Sequence, residues 1–190
     1  LDWMALTKFY GVKSTYNSGD DTYEFSSSGG TFIVDGGGVD TITAYGQLED
    51  VTIDLRPGAH SHLGTKSNYI TAANQLTISH GSYIENVVTG EGDDIIIGTD
   101  LDNLISTGAG SDAIFAGAGS DTIKSGIGTD RIDLSESVQS RDTVILDAPS
   151  VDLGSDTIYG FAQGRLGDVF DVSSIFTSVL ELFPLVISGS

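Results

Sequence analysis

Apolar residues come in short runs separated by Gly, Asp, Asn and Ser over most of the chain. From residue 12 onward this predicts strands near 23–25, 31–34, 41–45, 51–55, 75–78 and 84–88. Only one segment before residue 174 reads as helix. Residues 2–10 place Trp3, Leu6 and Tyr10 on one face, with Asp2 as N-cap and Gly11 just past the end. The stretch 175–187 is apolar and is expected to cover one end of the β structure, where strand edges and core would otherwise face water.

The strongest pattern is a nine-residue period between residues 89 and 133. Position eight is Ile in every block: Ile96, Ile105, Ile114, Ile123 and Ile132. Position six holds Asp94, Asn103, Asp112, Asp121 and Asp130. Positions two and four are Gly except in the second block, which has Thr99 and Leu101. A single further copy, with Asp40 and Ile42 at the key positions, spans 35–43. Gly permits left-handed backbone, so successive carbonyls can turn toward one ion. Asp has the short reach that places a carboxylate beside them. Calcium takes six to eight oxygens at about 2.3–2.6 Å and neutralises stacked Asp rows. Two blocks make one coil, and coils stack at roughly the ordinary interstrand spacing of 4.8 Å. Turns 18 residues apart then face each other, Asp94 against Asp112, Asp112 against Asp130, and Asn103 against Asp121.

Composition fits this picture. Gly is 25 of 190 residues, about twice the usual share. Of the 27 acids, 21 are Asp. The net charge of −19 argues against a phosphate-reading protein and against docking on anionic lipid. There is no apolar run long enough to span a bilayer as a helix, and no Cys for a disulfide or a thiolate zinc site. The chain begins at Leu1 and stops at Ser188-Gly189-Ser190, and is expected to be a monomeric module of something longer.

The nonapeptide resembles the calcium-binding repeat of RTX proteins. The flanks narrow the resemblance. D-W-M-A-L-T-K-F-Y-G, S-G-D-D-T-Y-E-F, D-G-G-G-V-D-T-I, V-T-I-D-L-R-P-G-A and I-E-N-V-V-T-G-E-G-D-D-I-I-I-G, in that order, resemble the C-terminal domain of serralysin-type (peptidase M10) secreted metalloproteases. The resemblance implies an all-β fold, a β-sandwich fused to a right-handed parallel β-roll, with a helix over 1–11, sandwich over 12–88, roll over 89–133 and strands with the apolar cap over 134–190.

It also implies several calcium ions and their ligands. Asn17, Gly19 and Asp21 would clasp one ion against Asp35, Gly37, Gly38 and Asp40, and Tyr83 (through its carbonyl) with Glu85 would make a second site near Asp40. In the roll, Gly90, Gly92 and Asp94 would share an ion with Thr107, Ala109 and Asp112. In the same way Thr99, Leu101 and Asn103 face Ala116, Ala118 and Asp121, and Gly108 and Gly110 face Ser125, Ile127 and Asp130.

A serralysin-type protease needs His-Glu-x-x-His on a helix for zinc. The three histidines here, His60, His62 and His80, form no such motif, so catalysis is not expected on this chain. The leading expectation is an extracellular, calcium-dependent adhesion module, similar to peptide-binding domains of large RTX adhesins and capturing peptide C-terminal carboxylates on a host surface. The alternative is the secretion and folding domain of a serralysin-type protease without its catalytic half, and a passive spacer is a third. Candidate ligand contacts are Arg56, which otherwise pins Asp54, and His60, His62, Tyr16 and Tyr69, taken as loop residues lining a cleft.

Overall fold

Alternation of inward apolar and outward polar residues along each short strand builds two facing sheets around one core. A computed structural model describes residues 16–27, 29–146, 154–164 and 167–173. The first sheet has seven strands in the order β1 (Thr22–Glu24), β3 (Thr41–Thr43), β7 (Asn86–Val88), β9 (Leu104–Ser106), β11 (Thr122–Lys124), β13 (Thr143–Ile145) and β15 (Val169–Asp171), and every pairing in it is parallel. The second has eight, in the order β14 (Thr157–Tyr159), β12 (Arg131–Asp133), β10 (Ala113–Gly117), β8 (Ile95–Thr99), β4 (Val51–Asp54), β5 (His60–Leu63), β6 (Gln75–Ile78) and β2 (Thr31–Ile33). The chain crosses between sheets at every turn through most of its length, which is a parallel β-roll. The helix expected over 2–10 and the cap over 175–187 lie outside the described residues.

Register explains why position eight is apolar. In the second sheet Ile53, Ile96, Ile114, Ile132 and Ile158 stand directly opposite one another. In the first sheet the same ladder runs Tyr23, Ile42, Val87, Ile105, Ile123, Val144 and Phe170. Ile42, Ile53, Ile96, Ile105, Ile114, Ile123 and Ile132 are fully buried in one core cluster. Ile114 is flanked on both sides by like residues, so Ile114→Ala opens a cavity the stack cannot close. In calcium, urea unfolding should show a loss of about 2–5 kcal/mol. A loss below ~1 kcal/mol would mean the stack relaxes around the gap.

Parallel stacking is not confined to 89–133. It begins at β1 and continues through β13, β14 and β15. The one antiparallel excursion among the described residues runs from β4 through β5 to β6, after which β6 pairs in parallel with β2. It is launched by Pro57-Gly58, with Gly58 at φ 87° and the Ala59 N–H donating to the Arg56 carbonyl at 3.0 Å, a type II turn signature. β5 is a strand that the sequence pattern did not predict. His60 and His62 therefore sit on its outer side, with Ser61 and Leu63 pointing inward, and are not loop residues.

Candidate metal centre

The position-six carboxylates line the two edges where the chain passes between sheets. On the edge feeding the eight-stranded sheet, Asp112 Oδ1 accepts the Asp94 N–H at 2.8 Å, Asp130 Oδ1 the Asp112 N–H at 2.9 Å, and Asp156 Oδ1 the Asp130 N–H at 3.0 Å. Asp94 Oδ1 accepts the Val51 N–H at 2.8 Å. On the opposite edge Asp40 accepts from Asp21, Asp121 from Asn103, Asp142 from Asp121 and Asp168 from Asp142, at 2.7, 2.8, 2.9 and 3.0 Å. Each carboxylate thus spends one oxygen on the coil before it. The facing pairs read from the spacing, Asp94 with Asp112, Asp112 with Asp130 and Asn103 with Asp121, are the pairs observed.

The second oxygen is the informative one. Among the described residues, Oδ2 of Asp40, Asp94, Asp112, Asp121 and Asp130 is buried with no hydrogen-bond partner. A buried, unpartnered carboxylate oxygen is strongly unfavourable, and protein interiors rarely leave one. Burial raises the carboxyls of Asp94, Asp112 and Asp142 to about 6 and that of Asp121 to about 8. Burial likewise raises Asp40, against the opposing Asp21 N–H bond. These oxygens call for a positive partner, and oxygen-only donors in this number suit a hard cation such as calcium.

The glycines complete the arrangement. Gly92, Gly110, Gly119 and Gly128 all have left-handed φ, between 101° and 148°. A Cβ on Gly110 would lie 2.0 Å from the Gly92 carbonyl oxygen, and one on Gly128 would lie 1.8 Å from that of Gly110. Successive turns therefore nest a carbonyl oxygen directly against the next glycine, at a distance that no side chain tolerates.

A third acidic group lies at the start of the roll. Asp21, Asp35 and Asp40 bring their carboxylate oxygens within 4.8 Å of one another, the one group of three potential metal-ligating side chains among the described residues. Asp35 is fully buried and accepts the Tyr23 hydroxyl at 2.5 Å and the Gly37 N–H at 2.6 Å. Burial and that bond hold the Tyr23 hydroxyl well above its ordinary pKa. Asn17, at φ 43°, gives its carbonyl to the Gly36 N–H at 3.2 Å, and Gly19 packs under Gly38, whose Cβ would strike the Gly19 carbonyl at 2.2 Å. The structure thus brings Asn17, Gly19, Asp21, Asp35, Gly37, Gly38 and Asp40 together in one cluster of loops. Glu85 also lies beside Asp40, accepting its N–H at 2.9 Å.

The candidate ligand contacts do not converge. Arg56 is spent on Asp54, with Nε to Oδ1 at 2.9 Å and Nη2 to Oδ2 at 2.6 Å, a bidentate pair that raises the guanidinium pKa further. His60 shares a hydrogen with Thr77 Oγ1 at 2.8 Å, and burial followed by Lys66 lowers the His62 pKa. Tyr16 and Tyr69 are exposed on separate loops. Arg56 lines a hollow of about 460 Å³ with Pro57, Tyr83, Ile97, Leu101 and Phe115, which includes none of the other four.

Sequence reading missed Asp142, Asp156 and Asp168. The signal was present, because Ser155-Asp156-Thr157-Ile158 repeats Ser120-Asp121-Thr122-Ile123 letter for letter. Loop insertions hide it, stretching the spacing from 18 residues to 21 and 26.

Fold and carboxylate rows together define a parallel β-roll whose turns carry rows of buried carboxylates along both edges. The chain belongs to the peptidase M10 serralysin C-terminal family, whose model matches residues 5–152. It is similar to serralysin of Proteus mirabilis, 34% identical over 118 residues covering 55% of this chain and 23% of that protein. It is also similar to metallopeptidase AprA of Pseudomonas marginalis, 32% identical over 118 residues with 55% and 24% covered, and to serralysin B of Dickeya chrysanthemi, 35% over 111 residues with 50% and 22% covered. The chain spans about a quarter of the length of these relatives. Two of the three are named as serralysins and one as a metallopeptidase, and none for adhesion, which moves the weight from the adhesive expectation to its alternative.

Proposed function

We propose that this chain is the non-catalytic, calcium-dependent folding and export module of a serralysin-type protein, working outside the cell. The observation that carries the reading is the set of buried Asp Oδ2 atoms left without partners along both edges of the roll. Calcium held there by Asp94, Asp112, Asp130, Asp40 and Asp121, with turn carbonyls, would supply the positive charge that allows stacked carboxylates at neutral pH. Extracellular calcium modules bind at about 10⁻⁴–10⁻³ M, far above cytosolic levels, so folding is deferred until the chain is outside. The family membership and the three relatives support this reading over adhesion, and so does Arg56, whose guanidinium is already committed to Asp54. Limited proteolysis tests it. The chain should be digested at about 10⁻⁷ M free calcium and resist at about 10⁻³ M. Resistance at both concentrations removes the function proposed.

A further inference from the structure

One turn of the roll departs from the rest. In the second nonapeptide block, Thr99, Leu101 and Asn103 replace the Gly, Gly and Asp of the others. Two independent features of this turn differ from its neighbours. First, the positive-φ residues other than Gly are Asn17 and Asn74 among the described residues, so Leu101 lacks the left-handed backbone that Gly92, Gly110, Gly119 and Gly128 use. Second, Asn103 leaves no side-chain atom unpartnered. Its Oδ1 accepts the Thr99 N–H at 2.8 Å and the Thr99 hydroxyl at 3.2 Å, and its Nδ2 donates to the Glu85 carbonyl at 2.8 Å. The Thr99 hydroxyl in turn accepts the Leu101 N–H at 3.1 Å, whereas the Thr99 carbonyl accepts the Ala118 N–H at 2.9 Å just as the Gly90 and Gly108 carbonyls of the other turns accept those of Ala109 and Ile127. The carboxylates at this position in the other blocks each keep a buried oxygen with no partner.

We infer that Thr99, Leu101 and Asn103 form a hydrogen-bonded staple that stands in for a cation and supplies no ligand to one. The resemblance had placed these three among the ligands. Their geometry instead satisfies itself: the amide Nδ2 of Asn103 donates to the Glu85 carbonyl of the preceding coil, an oxygen that a carboxylate could meet only through an ion. The cation row on this edge is then interrupted. An upstream group of Asp21, Asp40 and Glu85 is separated from a downstream group of Asp121, Asp142 and Asp168. The opposite edge runs unbroken from Asp94 through Asp112 and Asp130 to Asp156.

This inference rests on the calcium reading above, and the test separates the two. Bound calcium per folded chain is counted by native mass spectrometry and elemental analysis. Asn103→Ala should keep the wild-type count, whereas Asp112→Asn should lose at least one ion. The variant carrying Thr99→Gly, Leu101→Gly and Asn103→Asp, which restores the turn of the other blocks, should gain one. Loss of an ion in Asn103→Ala, or no gain in the restored turn, overturns the staple while leaving the calcium reading intact. Should Asn103→Ala not fold, the restored turn decides alone. A wild-type chain that is folded without bound calcium overturns both.

Discussion

Stripped of calcium at about pH 7.5, the chain should lose most of its β circular-dichroism signal and recover it on addition of about 10⁻³ M calcium. The sign of the pH dependence follows from the carboxyls. Asp94, Asp112 and Asp142 are raised to about 6 and Asp121 to about 8 in the folded chain, above the ordinary value of 3.8 that unfolding restores. The metal-free fold therefore binds protons more tightly than the unfolded chain does. Its stability is greatest below the unfolded value and is lost as pH rises through about 6, with Asp121 continuing to about 8. Calcium and protons compete for the same oxygens. In chelator, lowering the pH from about 7.5 to about 5 should restore part of the β signal, and the calcium concentration that half-saturates the folded chain should rise over the same interval. A spectrum unchanged by chelator at about pH 7.5, in protein shown to be metal-free, would falsify the idea that cations hold the carboxylate rows together.

The second large effect concerns the backbone. Gly128→Ala should destabilise the calcium-loaded roll by about 2–5 kcal/mol. About 1–2 kcal/mol comes from forcing an L side chain into a left-handed turn, and about 1–3 from overpacking. The overpacking arises because the new Cβ would sit 1.8 Å from the Gly110 carbonyl oxygen, so the coils must move apart. Gly46→Ala isolates the first term. Gly46 has φ 80° but nothing within 4 Å of its Cβ position, so only the strain of about 1–2 kcal/mol should appear. Urea midpoints measured in saturating calcium compare the two. Equal losses would show that coil spacing is not set by the seating of each carbonyl oxygen against the next glycine. Calcium affinity gives a further distinction, because Gly128→Ala displaces carbonyls of the turn and should weaken binding, while Gly46→Ala should not.

Ile96, Ile114 and Ile132 were legible because a buried ladder demands one residue type at a fixed phase, and the phase is written in the chain. Asp94, Asp112 and Asp130 were legible for the same reason. A nine-residue period puts like residues on like turns, and two periods return the chain to the same edge. Asp142 and Asp168 were not, since the loops before them break the period while the coils go on stacking. Arg56 has two roles open to it in the sequence, a ligand contact or a partner for Asp54, and only the fold shows the guanidinium closed on Asp54 at 2.6 Å.

By itself, the sequence determined the repeat, the inward Ile and the acidic turns, and it raised the expectation of an oxygen-bound cation. These follow from local rules, namely strand alternation, glycine's backbone freedom and the charge of Asp. Only the tertiary structure decided how far the stack extends, that His60 and His62 lie on β5, and that Asn103 closes on Thr99 and Glu85. Those outcomes depend on which coils meet across loops of unequal length, and a contact between residues far apart in the chain leaves no periodic trace in it.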